Sequence, residues 1–222
     1  MCGRYVQTSP ADALATSFGA RLPEGIAWTP RWNVAPSTPA PVVRDEGCGA
    51  SVALLTWGFV PSWAKAGGTI RPINARAEGL REKPLFRDAL RRRRALVPAD
   101  GFYEWKAEGK GKTPWFFRLA SGAPFAFAGI WDRWSAPGAG TIESFAIVTT
   151  GANELVGSVH ARMPVILDAE GEEIWRRDGA LSPAELERCL APFPAAGMEA
   201  WPVSTWVNAP SHDGARCVEP AP

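Results

Sequence analysis

The sequence predicts a mixed α+β fold, a single domain with a curled antiparallel β-sheet or barrel-like core and several short flanking helices. Three observations carry that expectation. The 222 residues are 46% hydrophobic and 21% charged, enough for one sizeable core. Eleven tryptophans and 21 prolines against two tyrosines favour many short elements joined by rigid turns over a few long helices. Stretches of strand composition recur along the chain, whereas helix signals number only three or four.

Taken in order, residues 3–7 read as an opening strand. Ser9-Pro10-Ala11-Asp12 looks like an N-cap, a proline at N1 and an early acid, which predicts a short helix to about Phe18. Residues 21–41 are rich in Pro and Trp with little periodicity, and Arg31-Trp32-Asn33-Val34-Ala35-Pro36 reads as an ordered, irregular loop. Residues 51–60 form a strand that ends in the aromatic turn Trp57-Gly58-Phe59-Val60-Pro61-Ser62-Trp63, followed by a flexible Ala66-Gly67-Gly68. A helix is expected from about Leu85 through the arginine run 91–94; four consecutive arginines cannot share one helix face, so some must meet solvent or a partner.

Residues 95–98 and 101–106 read as two strands around an Ala99-Asp100 turn, and 106–113 as a Gly/Lys-rich hairpin loop leading into a strand at 115–119. Residues 125–131 and 144–149 continue the strand pattern, 151–156 is a helical turn, and 163–167 is a strand closed by an Asp168-Ala169-Glu170-Gly171 turn. Ser182-Pro183-Ala184-Glu185 is a capping box that opens a helix to about Leu190. Residues 201–207 form the last strand and 208–214 a terminal loop.

The start of the chain lacks a charged region followed by an apolar stretch, and nowhere do about 18 apolar residues run unbroken, so a cytoplasmic protein without membrane contact is expected. Cys2, Cys48, Cys189 and Cys217 form no C-x-x-C pair and fit neither a disulfide framework nor a zinc site. The later three read as buried or inert thiols, and neither a metal nor any other cofactor is expected. The net charge of +1 is unevenly placed: residues 60–118 hold fourteen Lys or Arg against six Asp or Glu, a local +8, whereas residues 168–222 hold four against ten, a local −6. That asymmetry fits a phosphate-binding surface, and equally a solvated face.

Four residues stand out chemically. Removal of Met1 would leave Cys2 with its α-amine and thiol on one residue, a 1,2-aminothiol. An α-amine titrates near pH 8, so roughly a tenth of it is neutral and nucleophilic at pH 7, far more than of a lysine. Such an amine attacks an aldehyde, and the adjacent thiol can close the imine into a five-membered thiazolidine. Taken alone, Cys2 reads better as a small apolar residue at a frayed end. Glu104 lies in the apolar strand Gly101-Phe102-Tyr103-Glu104-Trp105, where a carboxylate is costly unless paired, for instance with Arg76, or working. Strand alternation puts it on the face of Phe102, where desolvation would raise its pKa toward that of a general acid or base. His160 precedes Arg162 by two residues at the entry to a strand; a lone histidine is also commonly structural, as His212 is taken to be. Asn74 either positions a substrate oxygen or caps a turn.

Six motifs in order, Met-Cys-Gly-Arg-Tyr, Trp-Gly-Phe-Val-Pro-Ser-Trp, Asn-Ala-Arg-Ala-Glu, Gly-Phe-Tyr-Glu-Trp, His-Ala-Arg-Met-Pro and Val-Ser-Thr-Trp-Val-Asn, span Cys2 to Asn208. Together they resemble the SOS response-associated peptidase (SRAP) family. The resemblance implies one SRAP-like domain over residues 2–222, with Met1 removed and 209–222 as a tail. It implies a protein that shields abasic sites in DNA by crosslinking its N-terminal cysteine to the ring-opened sugar aldehyde. Cys2 would be the nucleophile, and Asn74 would orient the terminus and the sugar. Glu104 would be the acid/base for ring opening and imine formation, and His160 would assist ring opening and the reverse reaction. Arg4, Asn33, Trp63, Arg76, Thr149 and Arg162 would line the DNA groove, and any peptidase activity would be self-removal of residues ahead of Cys2.

From residue type, Trp32, Trp63 and Phe86 offer flat surfaces for bases, and Arg76, Arg87 and Arg162 offer phosphate partners. The expected partner is therefore single-stranded or junction DNA carrying an abasic site, bound by a monomer. Two rivals remain: an N-terminal-nucleophile amidohydrolase, which needs an oxyanion hole rather than a basic groove, and a non-covalent single-strand binding module in which Cys2 is incidental.

Overall fold

Alternation of buried residues organises the protein around two sheets. In a computed structural model of the chain, which describes residues 2–65, 71–109, 111–138 and 140–221, the elements run β1 (Tyr5–Gln7), α1 (Ala11–Ser17), β2 (Arg31–Val34), β3 (Pro39–Asp45), β4 (Ala50–Trp57), β5 (Asn74–Arg76), α2 (Pro84–Arg92) and β6 (Arg94–Ala99). They continue with β7 (Gly101–Glu108), β8 (Gly111–Leu119), β9 (Phe125–Ala136), β10 (Gly140–Gly151), α3 (Glu154–Gly157), β11 (Arg162–Pro164), β12 (Ile166–Leu167), α4 (Ala169–Arg176), α5 (Pro183–Leu190) and β13 (Met198–Pro202).

The larger sheet carries the order β10-β4-β3-β6-β9, and a further β9–β10 pairing closes these five strands into a barrel. The smaller sheet has the order β13-β8-β7-β1-β2, with β1 held between two partners. The expected mixed α+β fold with a barrel-like core is thus present, with one correction: β10 pairs in parallel with both β4 and β5. Along the barrel strands, Val43, Leu96, Ala126, Ala128, Ala146 and Val148 pack toward the helices, while their neighbours Val42, Val97, Phe127, Phe145 and Ile147 pack toward the smaller sheet. This is the period-2 pattern of strands covered on both faces. No helix among the described residues is long and apolar enough to cross a membrane.

Several local expectations are corrected. Arg31–Val34 is a strand, not a loop; Pro30 and Pro36 mask it, but Tyr5 pairs with Val34 and Gln7 with Arg31. Ser9 does not cap α1, whose N-cap is Pro10; its hydroxyl donates to Asp100 at 2.6 Å. The two expected strands flank Asp100 but lie in different sheets, β6 in the barrel and β7 in the smaller sheet, and Asp100 accepts from the Thr8 and Ser9 amides at the crossing. The expected turn at 168–171 is the start of α4, where the Asp168 carboxylate accepts from the Gly171 amide as an N-cap. The last strand is Met198–Pro202, and Thr205–Asn208 turns into a 3-10 helix. The Ser182–Glu185 capping box is formed as expected. The segment read as flexible at 66–68 lies outside the described residues.

The arginine run divides by environment. Arg91 and Arg92 are exposed, and Arg93 pairs with Asp132. Arg94 is buried and donates to the carbonyls of Leu90, Trp175, Arg177 and Gly179, so that one guanidinium satisfies the C-terminal ends of both α2 and α4. Of the later three cysteines, Cys189 and Cys217 are buried, but Cys48 is exposed in the β3–β4 turn. His212 is structural, stacked on Trp206 at 4.5 Å.

A tight approach between strands supplies a test. A Cβ on Gly101 would lie 2.3 Å from the Phe116 ring and 2.7 Å from the Phe117 carbonyl, atoms that cannot swing aside. Gly101→Ala is therefore expected to destabilise the fold by about 1–3 kcal/mol, the usual cost of overpacking, read as a lower urea midpoint at unchanged slope.

Candidate active site

The first strand places the chain start where a terminus seldom lies. Tyr5 pairs with Val34 on one side and Phe102 on the other, and Tyr103 donates its amide to the Arg4 carbonyl at 3.1 Å. Cys2 is 0% exposed, among Tyr5, Trp57, Phe102 and Phe127. These rings form a wall: Tyr5 meets Trp57 edge-on at 5.2 Å and Phe127 at 5.9 Å, and Trp57 anchors its indole N–H on the Ile73 carbonyl at 2.8 Å.

β5 delivers Asn74 to this point. Ala75 is buried in the core, so alternation turns Asn74 and Arg76 to the other face. Asn74 Nδ2 donates to the Cys2 carbonyl at 2.8 Å, and its Oδ1 is buried without a hydrogen-bond partner among the described residues. The same logic places Glu104 beneath the terminus. Phe102 and Glu104 face the aromatic wall, while Tyr103 packs on the opposite side with Val6 and Phe116. Glu104 is 2% exposed, and burial, the largest cause, raises its pKa above the usual carboxylate value. Burial, with the Glu104 charge second, also pushes the Cys2 thiol up, so it stays protonated.

His160 follows α3, its amide donating to the Val156 carbonyl at 2.8 Å. Its Nδ1 lies 3.0 Å from the Arg162 amide nitrogen and 3.1 Å from the Arg162 carbonyl oxygen, so the backbone at the start of β11 fixes the ring. Cys2, Asn74, Glu104 and His160, far apart in sequence, therefore converge.

The eight residues expected at a groove divide differently. Trp63 is 60% exposed, and Arg76 and Arg87 are also exposed. Arg162 is partly covered, donating to the Thr149 carbonyl at 2.6 Å and to both carboxylate oxygens of Glu78. Thr149 itself is buried. Phe86 presents no free ring: it packs in the core, edge-on to Phe59 at 5.7 Å. Asn33 is fully buried, and its amide donates to the carbonyls of Val207, Ala209 and His212 at 2.8–3.1 Å, while its Oδ1 accepts from Arg4. Arg4 adds a bond to the Val207 carbonyl at 3.1 Å. Arg4 and Asn33 thus fasten the C-terminal segment, Asn33 fully buried and Arg4 partly covered. The sequence reading missed Tyr5 and Trp57 as the wall behind Cys2, and Glu78; the alternation of Ala75 against its neighbours is the signal that aims this part of the chain.

Comparison with known proteins agrees over the whole chain. The family model described as SOS response associated peptidase (SRAP) matches residues 1–210. Abasic site processing protein YoqW of Bacillus subtilis is 40% identical over 99% of both chains. Abasic site processing protein YedK of Escherichia coli is 29% identical over 99% of this chain and 100% of its own. A crystal structure of a protein from Bacteroides thetaiotaomicron superposes with a TM-score of 0.89 at 29% identity, covering 99% of this chain and all of the other.

The raised Glu104 pKa has a thermodynamic signature. Between its ordinary and its raised pKa the native state binds more protons than the unfolded chain, so this carboxylate costs stability as pH rises through that interval. Glu104→Gln is expected to raise the melting temperature at pH 8, with the gain shrinking as pH falls toward about 4. An equal gain at both pH values would show that burial of this charge is not the cause.

Proposed function

This chain belongs to the SOS response associated peptidase family, and we propose that it processes abasic sites by forming a covalent thiazolidine between mature Cys2 and the ring-opened sugar of single-stranded or junction DNA. The observation that carries this reading is the position of Cys2, buried and held through its own carbonyl by Asn74 beside a carboxylate with a raised pKa. Removal of Met1 frees the α-amine.

The steps balance with the groups present. His160 assists opening of the sugar hemiacetal to the C1′ aldehyde. The α-amine adds to that carbon, forming a carbinolamine. Glu104, whose pKa burial raises, gives a proton to the departing hydroxyl, which leaves as water, and an iminium remains. The resulting carboxylate then takes the Cys2 thiol proton as Sγ bonds to the same carbon, closing the ring with a neutral nitrogen. One water is lost overall and Glu104 is restored. Asn74 Oδ1, buried with no partner among the described residues, can accept from the amine or the sugar hydroxyl.

The thiol's raised pKa supports amine-first chemistry and weighs against an amidohydrolase, whose nucleophile must be a thiolate. Trp63 and Arg76 are exposed and offer a stacking surface and a phosphate contact. A single strand also avoids the roughly 1–6 kcal/mol needed to bend a duplex into such a pocket.

Denaturing gels with an abasic oligonucleotide test the reading. Wild-type protein should give a heat-stable shifted band and an intact mass that begins at Cys2. A fully active preparation that retains Met1 would refute the thiazolidine. Cys2→Ala should lose the stable band yet leave an imine that borohydride traps, because alanine keeps the α-amine. Glu104→Gln should slow crosslinking by about 10²-fold, the usual size of a general acid/base contribution. A replacement of His160 should slow reversal at least as clearly as formation. Equal crosslinking of duplex and single-stranded substrate at matched salt would contradict the strand preference.

A further inference from the structure

The Asn-Ala-Arg-Ala-Glu motif ends in a residue to which the chemistry above gives no part. Glu78 follows Arg76 in a 3-10 turn over Ala77–Gly79, and its side chain is 61% exposed. Its two oxygens take both terminal nitrogens of Arg162, Oε1 with Nη1 and Oε2 with Nη2 at 3.0 Å. The second hydrogen-bonding direction of Nη2 goes to the Thr149 carbonyl at 2.6 Å. The Arg162 guanidinium thus has one face fixed by the protein and its fork closed end-on by a carboxylate. A phosphodiester would occupy the same fork with the same two-oxygen geometry.

The contrast with nearby cations sharpens the point. Arg71, Arg76 and Arg81 are exposed and form no ion pair among the described residues, although they lie within ten residues along the same segment. Arg162, the cation attached through its own amide to His160, is the one whose charge is cancelled.

We propose that Glu78 is a specificity-determining residue, an internal stand-in for phosphate that occupies Arg162 and must be displaced before this cation can hold a DNA strand. It thereby weakens the hold on ordinary single strands beside the reactive terminus, where a repair protein would otherwise be sequestered by undamaged DNA. The inference rests on the DNA-binding reading above and assigns a residue that governs it.

The test is the salt dependence of binding to an undamaged, mixed-sequence single-stranded oligonucleotide, measured by fluorescence anisotropy. Each phosphate contact adds about 0.7 to the slope of log K against log salt for single strands. Glu78→Gln should bind more tightly at low salt with a slope steeper by about 0.7, equivalent to roughly 2.6-fold more affinity lost over a fourfold rise in salt. Adding Arg162→Gln to the Glu78→Gln variant should return the slope to the wild-type value. An unchanged slope overturns the proposal, and weaker binding with a shallower slope would make Glu78 a mere support for Arg162. A steeper slope that persists in the double variant would mean simple charge repulsion and also overturns it. Crosslinking of an abasic strand by wild-type protein is the separate control. Its absence would remove the underlying reading, whereas its presence with an unaltered slope in Glu78→Gln removes only this one.

Discussion

The hydrogen bond from the Asn74 amide to the Cys2 carbonyl is the contact on which the site rests. Chain ends fray unless something ties them down, and a reactive group on a frayed end has no fixed distance to any catalyst. Here β1 is flanked by strands on both sides, the Arg4 carbonyl accepts from Tyr103, and Asn74 takes the last carbonyl before the terminus. The constraint has electrostatic consequences. A terminus fixed within an aromatic wall excludes water from Glu104 and Cys2 alike, and that exclusion raises both their pKa values. Position and acidity are thus set by the same packing.

Much of this arrangement was legible in local pattern. Alternation within Gly101–Glu108 assigned Glu104 to the face of Phe102, and it lies there. The capping box at Ser182 carried its own geometry, because both partners lie within four residues. What stayed hidden depended on partners distant in sequence. Arg31–Val34 reads as a loop because its prolines dominate the local signal, yet the strand forms on β1, about 25 residues earlier. α4 was lost because Asp168-Ala169-Glu170-Gly171 has turn composition; that Asp168 caps a helix follows only once Trp175 finds the core. Exposure was the least legible property. Phe86 and Asn33 carry suitable chemistry for nucleic acid, but burial spends one on Phe59 and the other on three carbonyls.

Arginine serves three separate purposes within this one chain. Arg94 acts as a buried donor cluster that finishes two helices, Arg44 and Arg133 share the Glu143 carboxylate on the barrel surface, and Arg71, Arg76 and Arg81 remain exposed. The guanidinium suits the first task because its planar fork has five fixed donors, which a lysine lacks. The local excess of +8 between residues 60 and 118 therefore overstates the charge available to a polyanion, since Arg93 and Arg94 within it are already engaged.

The clamp that joins Arg4 and Asn33 to residues 207–212 has a consequence in time as well as in space. A ribosome makes the first two residues of that clamp early and their carbonyl partners almost last. At about 5–20 residues per second, roughly 10–40 s separate the appearance of Arg4 from the appearance of the carbonyls it holds. During synthesis the first strand exists before the segment that fastens it. Completion of the chain, rather than emergence of its first strand, is the event that closes the clamp between Arg4, Asn33 and residues 207–212.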